Sequence, residues 1–152
     1  MESRKIALAS VLASLYVAIG VALPFISFGA WQCRVSDALY PLIALFGTPA
    51  LIGLTLGHII YNLYGFTTGF ALGWMDVILS PIIFFGAKLA IWKWGFKAVP
   101  IHVIAVALWV PYLLKSLFGL PYLPSVMSVG AGEAVAELVL GRLVFLEMEK
   151  RL

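Results

Sequence analysis

The sequence predicts an all-α, polytopic membrane protein, a six-transmembrane-helix bundle with a re-entrant first outer loop, in which residues 1–152 form a single transmembrane domain. Composition is the first observation, because the chain is 63% hydrophobic and only 11% charged, with a mean hydropathy of +1.07. A soluble domain has about a quarter charged residues and could not bury this much apolar surface in one core. The second observation is that apolar runs of helical length recur, with Gly and Pro between them.

The first predicted helix runs from Ile6 to Ile26, without a charge and long enough to cross about 30 Å of hydrocarbon. Arg4 and Lys5 before it are typical of a signal peptide, but no small-residue cleavage site follows. We therefore expect a retained helix. Within it, Ala9 and Ala13 form a pair of small residues one turn apart, which is typical of internal helix packing and equally of a docking surface for another membrane subunit.

A polar interruption at residues 31–37 precedes a short apolar helix from Ala38 to Phe46. Gly47-Thr48-Pro49 then ends that helix, and a third helix is expected to run to about Tyr64. A helix of roughly ten residues is too short to cross the bilayer at 1.5 Å per residue. Residues 29–37 are therefore either a re-entrant loop enclosed by protein or a plain surface loop.

Three further helices are predicted, from Trp74 to Trp92, from Ile101 to Leu117, and from Ser125 to the C-terminus. The loops between them are Gly65 to Gly73, Lys93 to Pro100 and Gly119 to Pro124. Six helices place both termini on one side, together with Arg4, Lys5, Lys88, Lys93, Lys97, Lys150 and Arg151, against Arg34 and Lys115 on the other. This asymmetry predicts cytoplasmic termini, and it assigns the positive charge to membrane orientation and not to nucleic-acid binding.

This topology places the ionisable and amide side chains in the outer half of the bundle. They are Arg34, Asp37, His58, Asn62, Asp76, Lys115, Glu133 and Glu137. A charge at the bilayer centre costs roughly 3 kcal/mol or more, so such groups are usually functional. The alternative is a set of interfacial side chains and structural pairs, such as Arg34 with Asp37. Trp31 and Trp74 beside them are typical of an interfacial aromatic belt or of a stacking wall for a planar ligand.

The sequence has no phosphate-binding glycine loop, no zinc-binding helix motif and no nucleophile elbow, and it has a single cysteine. We therefore expect no enzyme, no cofactor and no metal site, and any ATPase would be a separate subunit. A small binding subunit fits best. A proton- or ion-conducting protein that uses Glu133, Glu137, Asp76 and His58 as a relay stays open, as does an assembly factor without a ligand. The relay is weakened because no acid lies between Glu137 and Glu147.

Two segments resemble the queuosine-precursor transporter family. Residues 29–39, Gly-Ala-Trp-Gln-Cys-Arg-Val-Ser-Asp-Ala-Leu, resemble its first-loop motif, in which R-[VI]-S-E-A-L follows a Gln or a similar residue. Residues 130–135 and 139–141, Gly-Ala-Gly-Glu-Ala-Val and Val-Leu-Gly, are similar to its G-E-A and V-L-G stretch. Asp37 replaces the usual Glu, which keeps the carboxylate and shortens its reach. Arg142 replaces an apolar residue.

The resemblance implies a substrate-binding S component of an energy-coupling factor transporter, in the plasma membrane of a prokaryote. Such a subunit binds a micronutrient from outside and works with a transmembrane coupling subunit and two ATPase subunits. The implied ligand is a 7-deazaguanine, such as the cyano or aminomethyl precursor or queuine, and another vitamin is the alternative. The resemblance also favours Ala9 and Ala13 as the contact with the coupling subunit.

A guanine-like edge presents two adjacent N–H donors and one carbonyl acceptor, which a carboxylate and a cationic or amide donor can bind. We expect Glu133 first, and Asp37 second, to accept both donors. Gln32 or Arg34 is expected to donate to the carbonyl, and Asn62 or His58 to contact a ring nitrogen. Trp31 or Trp74 is expected to stack on the ring. Asp76 is expected to bind a cationic aminomethyl arm or to cap its helix.

Overall fold

A computed structural model of the protein describes residues 2–28 and 32–152, and helix dominates both ranges. Within these ranges six helices have ten residues or more, and no β-strand occurs. They are α1 (Glu2–Ala22), α2 (Val35–Phe46), α3 (Thr48–Thr68), α4 (Trp74–Trp94), α5 (Val99–Phe118) and α6 (122–149). A helical turn, Pro24–Ser27, follows α1, and a 3-10 turn, Gly95–Ala98, joins α4 to α5.

The six predicted helices are present with shifted ends. The predicted loop start at Gly65 is wrong, because α3 continues to Thr68 and ends at Gly69, whose φ of 78° is left-handed. Gly65 lies inside α3, where a Cβ would be 2.6 Å from the Phe28 ring, so its role is close packing and not chain breaking. At the other end of the chain, α6 begins at Tyr122, three residues before the predicted start.

The predicted break between the second and third helices is confirmed. Gly47 has a φ of 63°, and Pro49 lies in the first turn of α3. The helix before the break, α2, is a 3-10 helix over Val35–Leu42 and an α-helix over Ile43–Phe46. It contacts α1, α3, α4 and the second half of α6, and residues 36–42 are buried. This short helix therefore lies at the centre of the bundle, enclosed by longer ones.

The Ala9–Ala13 pair of α1 contacts a pair of glycines four residues apart on α3, Gly53 and Gly57. A Cβ on Gly53 would lie 2.3 Å from the carbonyl oxygen of Ala9, and one on Gly57 would lie 3.0 Å from that of Ala13. The backbones of the two helices therefore approach as closely as glycine permits. Ala9 and Ala13 take part in internal packing through their backbone, and their methyl groups line the groove beside it.

The surface of the bundle is apolar over most of its helices. Ile6 on α1, Ile60 on α3, Ile82 on α4, Ile104 on α5 and Leu143 on α6 are all exposed. Two stretches, Glu2–Ala22 and Trp74–Phe118, are long and apolar enough to cross a bilayer. These observations agree with a membrane protein. The six-pass topology and the cytoplasmic termini stay predictions.

Candidate functional site

Polar side chains fill part of the interior of the bundle. The buried ones include Gln32, Arg34, Asp37, His58, Asn62, Asp76, Ser80, Lys88, His102, Glu133 and Glu137. Buried polar groups are normally hydrogen-bonded, and the exceptions call for an explanation. The interior contains both kinds, in two adjoining groups.

The first group is the tyrosine–histidine network, Tyr16, Asp37, Tyr40 and His58. Tyr16 donates a hydrogen bond to the Asp37 carboxylate, and the Tyr40 hydroxyl donates to the Tyr16 oxygen at 3.0 Å. Arg34 Nη1 lies 3.2 Å from His58 Nε2, and because a guanidinium only donates, Nε2 accepts. His58 Nδ1 then carries the proton and donates to Tyr40 at 3.0 Å. The hydrogen bonds therefore run in one direction, from Arg34 to the Asp37 carboxylate.

Lys88 lies against this network and not at the inner surface where the sequence placed it. It is fully buried, with Nζ 3.2 Å from His58 Nδ1 and 4.3 Å from the centre of the Tyr40 ring. Because the protonated Nδ1 of His58 can only donate, Lys88 faces it as a neutral amine that accepts, and not as an ammonium. Lys88 is therefore part of the interior, and it no longer counts among the positive charges expected on the cytoplasmic side.

Arg34 does not form the structural pair with Asp37 that the sequence left open. Within residues 2–28 and 32–152 no ion pair joins these two side chains. The guanidinium lies 5.6 Å from the centre of the Phe28 ring and 5.8 Å from that of Tyr61. Its Nε is buried and has no hydrogen-bond partner in that part of the chain. Arg34 thus has one N–H donor free inside the protein.

The second group is the acceptor cluster, Asn62, Asp76, His102, Glu133 and Glu137. All five side chains are 0% exposed. The atoms that have no partner among the described residues are Asn62 Oδ1, Asp76 Oδ2, His102 Nε2, both Glu133 oxygens and Glu137 Oε2. Leaving such atoms unpaired in the interior costs about 1–3 kcal/mol each, and more when the group is charged. Binding of a ligand that donates hydrogen bonds would explain why they are tolerated.

The α5–α6 pair positions three members of the cluster. Glu133 and Glu137 lie four residues apart on α6, at the entry to the π-helical segment Val135–Leu140, and they face α5. His102 Nδ1 lies 2.5 Å from Glu137 Oε1, and its ring lies between Tyr40 and Phe84, at centroid distances of 4.6 and 5.3 Å. When the neutral ring donates from Nδ1 to the carboxylate, the unpartnered Nε2 is an acceptor.

The α3–α4 pair positions the other two members. Asn62 Nδ2 donates to the backbone oxygen of Asp76 at 2.9 Å. The Ser80 hydroxyl donates to Asp76 Oδ1 at 2.6 Å, and Trp109 Nε1 donates to the Ser80 oxygen at 2.8 Å. These bonds fix both the carboxylate and the amide, because a backbone oxygen can only accept and Asn62 must present its NH₂ to it.

The two segments that carry the family resemblance contact each other. A Cβ on Gly132 would lie 1.9 Å from the backbone oxygen of Gln32, so only glycine lets the first loop lie against α6 beside Glu133. A Cβ on Gly141 would lie 3.1 Å from the backbone oxygen of Ala38, in α2. The resemblance therefore falls on residues that are neighbours in space.

The remaining predicted site residues are distributed as follows. Gln32 is buried beside Gly132, whereas Trp74 is 57% exposed at the start of α4, so its ring is not enclosed with the cluster. Trp31 lies outside the described residues. Burial, and then the nearby negative charge of Asp37, raise the pKa of the Cys33 thiol, so it is not an activated nucleophile.

Sequence reasoning missed His102 as a site residue. One ligand atom from each of His102, Glu133 and Glu137 lies within 4.8 Å of the other two, which is a donor set that a divalent transition metal accepts. The signal available in the sequence was an imidazole in the apolar first part of α5, far from Lys115 in its last turn, and such a group is costly in a membrane unless it has a partner. The spacing of polar and apolar residues in the sequence did not show that this imidazole faces Glu137.

An apolar groove of about 650 Å³ lies at the α1–α3 interface, outside the polar interior. Its walls include Ala9, Ser10 and Ala13 of α1 and Ile52, Leu56 and Ile60 of α3. The small side chains of α1 form one wall, and the branched side chains of α3 form the other.

Comparison with known families gives one result for the chain. A family model described as QueT transporter matches residues 6–150. No curated protein and no solved structure matches it significantly.

Proposed function

The chain belongs to the QueT transporter family, and on that premise we propose that it is the substrate-binding S component of an energy-coupling factor transporter that takes up a queuosine precursor. Membership supports a transport protein and not an enzyme. The proposed ligand is a 7-deazaguanine, such as the cyano or aminomethyl precursor or queuine. ATP hydrolysis would belong to the partner subunits.

The observation that carries this proposal is the match between the unpartnered interior atoms and a guanine-like edge. Among the described residues, neither Glu133 oxygen has a hydrogen-bond donor, and Arg34 Nε–H has no acceptor. The positive charge of Arg34 lies within electrostatic range of Glu133. Two adjacent N–H donors of the ligand would satisfy the carboxylate, and its carbonyl would accept from Arg34.

The hydrogen-bonding of the other candidates supports a division of roles. Asp37, the second carboxylate considered, already accepts from Tyr16, and both ring nitrogens of His58 are engaged by neighbours. We therefore assign Asp37 and His58 to the scaffold that orients Arg34. The carbonyl oxygen of Asn62 has no partner within residues 2–28 and 32–152, so Asn62 remains the amide candidate for ligand binding.

Aromatic rings near Arg34 support binding of a flat heterocycle. The Phe28 and Tyr61 rings lie 5.0 Å apart with an angle of 30° between their planes, directly under the guanidinium. Stacking of a base on an aromatic side chain is worth about 1–3 kcal/mol. We propose these two rings as stacking candidates in addition to Trp31.

Calorimetric titration of the purified protein tests the proposal. We expect a 7-deazaguanine to bind, and riboflavin, biotin and thiamine not to bind. Glu133→Gln should weaken binding about 100-fold or more, because the amide replaces one of the two acceptor oxygens with a donor. The matched control is Glu147→Gln, since Glu147 is an exposed acid of the same helix that pairs with Arg151 at 2.6 Å.

Two results would refute this function. One is the absence of binding by every 7-deazaguanine tested, and the other is undiminished affinity in Glu133→Gln. Repeating the titration after EDTA treatment distinguishes an organic ligand from a divalent cation held by His102, Glu133 and Glu137. Calorimetric heat that disappears with EDTA and returns with added zinc would favour the metal.

We propose that the groove at the α1–α3 interface receives the transmembrane coupling subunit. Two features of the groove support this proposal. The small side chains of Ala9 and Ala13 let another helix approach closely, and the side chains on the opposite wall are apolar and exposed. Ala9→Leu with Ala13→Leu should prevent co-purification of the coupling and ATPase subunits while ligand binding is retained. Ser14→Leu, on an exposed position of α1, is the control. Unchanged co-purification of the double variant would overturn this proposal.

A further inference from the structure

Lys88 is a buried amine that the proposed function does not use. Its Nζ lies 3.2 Å from His58 Nδ1 and 4.3 Å from the centre of the Tyr40 ring. His58 Nε2 accepts from Arg34 Nη1 at 3.2 Å, because a guanidinium can only donate, so the single proton of the neutral ring is on Nδ1. Lys88 therefore contacts a protonated nitrogen, and this contact is favourable only while the amine is neutral.

The surroundings of this amine act on its charge in opposite directions. Its helix, α4, packs on α2, α3 and α5. The titratable and charged groups that these helices and the adjoining interior present are Arg34 before α2, Asp37 and Tyr40 on α2, His58 on α3, His102 on α5, and Glu133 and Glu137 on α6. The carboxylates attract a proton to Lys88, whereas the guanidinium of Arg34 repels it. The charge of Lys88 can therefore change with the acidity of the solution.

A proton on Lys88 is incompatible with the hydrogen bonds that His58 makes. An ammonium group can only donate, so Nδ1 would have to accept from it. The single proton of the neutral ring would then move to Nε2, where it points at Arg34 Nη1, which is also a donor. Because two donors cannot share a hydrogen bond, Arg34 would lose this contact. In all, one proton is taken up from solution: Lys88 gains it, and His58 stays neutral with its own proton on the other nitrogen.

We propose that Lys88 is a positioning residue for ligand binding, which as a neutral amine holds Arg34 in place through His58 and when protonated releases it. This inference rests on the proposed function, in which Arg34 Nε–H donates to the ligand carbonyl. The guanidinium is restrained by the bond to His58 and by the rings of Phe28 and Tyr61, 5.6 and 5.8 Å away. Loss of that bond leaves Nε without a fixed direction, so the ligand should bind less tightly in acidic solution.

Two substitutions of Lys88 should have opposite effects on binding. Lys88→Met keeps a long side chain that cannot be protonated, and His58 Nδ1–H keeps its bond to Tyr40 at 3.0 Å. Lys88→Arg introduces a permanent cation that only donates, which imposes the acidic arrangement at every pH. We therefore expect the Met variant to bind as tightly as the parent in alkaline solution, and the Arg variant to bind about 10-fold or more weakly, the usual effect of losing a hydrogen bond to a charged group.

The probe is 7-cyano-7-deazaguanine, because its nitrile carries no titratable amine. It is titrated calorimetrically into the purified full chain at several pH values between about 6 and 9, where buried lysines can change charge. The affinity of the parent should fall about 10-fold or more towards acidic pH, and this fall should be absent from Lys88→Met. Lys93→Met and Lys93→Arg, at an exposed position of the same helix, are the matched controls. A Met variant that keeps the pH dependence of the parent would overturn the inference.

The tautomer of His58 gives a readout that needs no ligand and that a purely structural lysine would not change. Nitrogen chemical shifts of isotope-labelled histidine identify the ring nitrogen that carries the proton, and because the chain has two histidines, His102→Phe assigns the signals of His58. On acidification we expect the proton to move from Nδ1 to Nε2 in the parent and to stay on Nδ1 in Lys88→Met.

This readout separates a failure of the inference from a failure of the proposed function. An unchanged tautomer in the parent, or a His58 ring protonated on both nitrogens, would overturn the role of Lys88 and leave the proposed function standing. If the tautomer moves as expected and no 7-deazaguanine binds at any pH, the proposed function fails, and the role of Lys88 in ligand binding fails with it.

Discussion

The tyrosine–histidine network and the acceptor cluster lie in the same interior and differ in one respect. In the network every member has a partner, and the bonds run in one direction from Arg34 to Asp37. In the acceptor cluster each member keeps at least one acceptor atom unpaired within the described chain. A satisfied network specifies a fold, whereas unpaired acceptors held on rigid helices are suited to an external donor. Burial alone therefore does not identify candidate site residues, whereas buried polar atoms that lack a hydrogen-bond partner do.

The largest expected effect comes from the contact that holds the first loop on α6. Gly132→Ala places a methyl group 1.9 Å from the Gln32 backbone oxygen, which no side-chain rotation relieves. We expect a loss of about 3 kcal/mol in the free energy of unfolding, together with loss of ligand binding, because overpacking against backbone forces a shift. Thermal unfolding in detergent and calorimetry measure the two effects. A variant as stable as the parent would mean that the loop does not lie on α6.

The next prediction separates the two groups. Tyr16→Phe removes the donor to Asp37 and leaves a buried carboxylate unpaired, so stability should fall by about 1–3 kcal/mol while ligand affinity changes little. Glu133→Gln should do the reverse and lose affinity without losing stability. Tyr122→Phe, which removes an exposed bond to the Leu108 backbone, is the matched control. If Tyr16→Phe abolishes binding at full stability, the network is part of the binding site and the distinction fails.

A smaller effect is expected at the junction of the two groups. His102→Phe keeps the ring contacts with Tyr40 and Phe84 and removes the donor to Glu137. We expect a loss of about 1–2 kcal/mol in stability, the cost of leaving a hydrogen-bonded acceptor unpaired. Ligand affinity should fall less than in Glu133→Gln. Chemical denaturation and calorimetry are the measurements, and an affinity loss as large as that of Glu133→Gln would make His102 a direct ligand contact.

The smallest expected effect lies outside both groups. A methyl group on Gly86 of α4 would meet nothing within 4 Å. Gly86→Ala should therefore leave binding unchanged and stabilise the helix by about 0.5–1 kcal/mol, because glycine loses more backbone entropy on folding. The same measurements serve here, and destabilisation would show that a neighbour outside the chain lies against this position.

Much of the helical framework could be predicted from the sequence, because apolar runs and breaker residues are local signals. The break at Gly47 and Pro49 is an example, since one residue needs a left-handed φ and the other suits a first helical turn. The family resemblance is also confirmed by the match over residues 6–150. The loop start predicted at Gly65 was wrong, because the sequence alone does not distinguish a glycine that makes room for the Phe28 ring from a glycine that ends a helix.

The direction in which polar residues face could not be predicted. Apolar residues lie on every side of α4 and α5, so no period identifies their inner face, and Lys88 and His102 could not be assigned to the interior. Lys88 was expected at the inner surface because it lies near the end of a helix, yet it pairs with His58 of another helix. Glu133 could be anticipated, because an acid inside an apolar helix near a glycine motif is costly wherever it faces.

Full enclosure of Glu133 and Asp76 also bears on kinetics. A molecule can reach atoms with no accessible surface only after helices or the first loop separate, so entry is limited by the frequency of opening and not by diffusion. Departure requires the same separation. Under the proposed function, this enclosure would give a bound solute a long residence time, which would suit the scavenging of a rare compound.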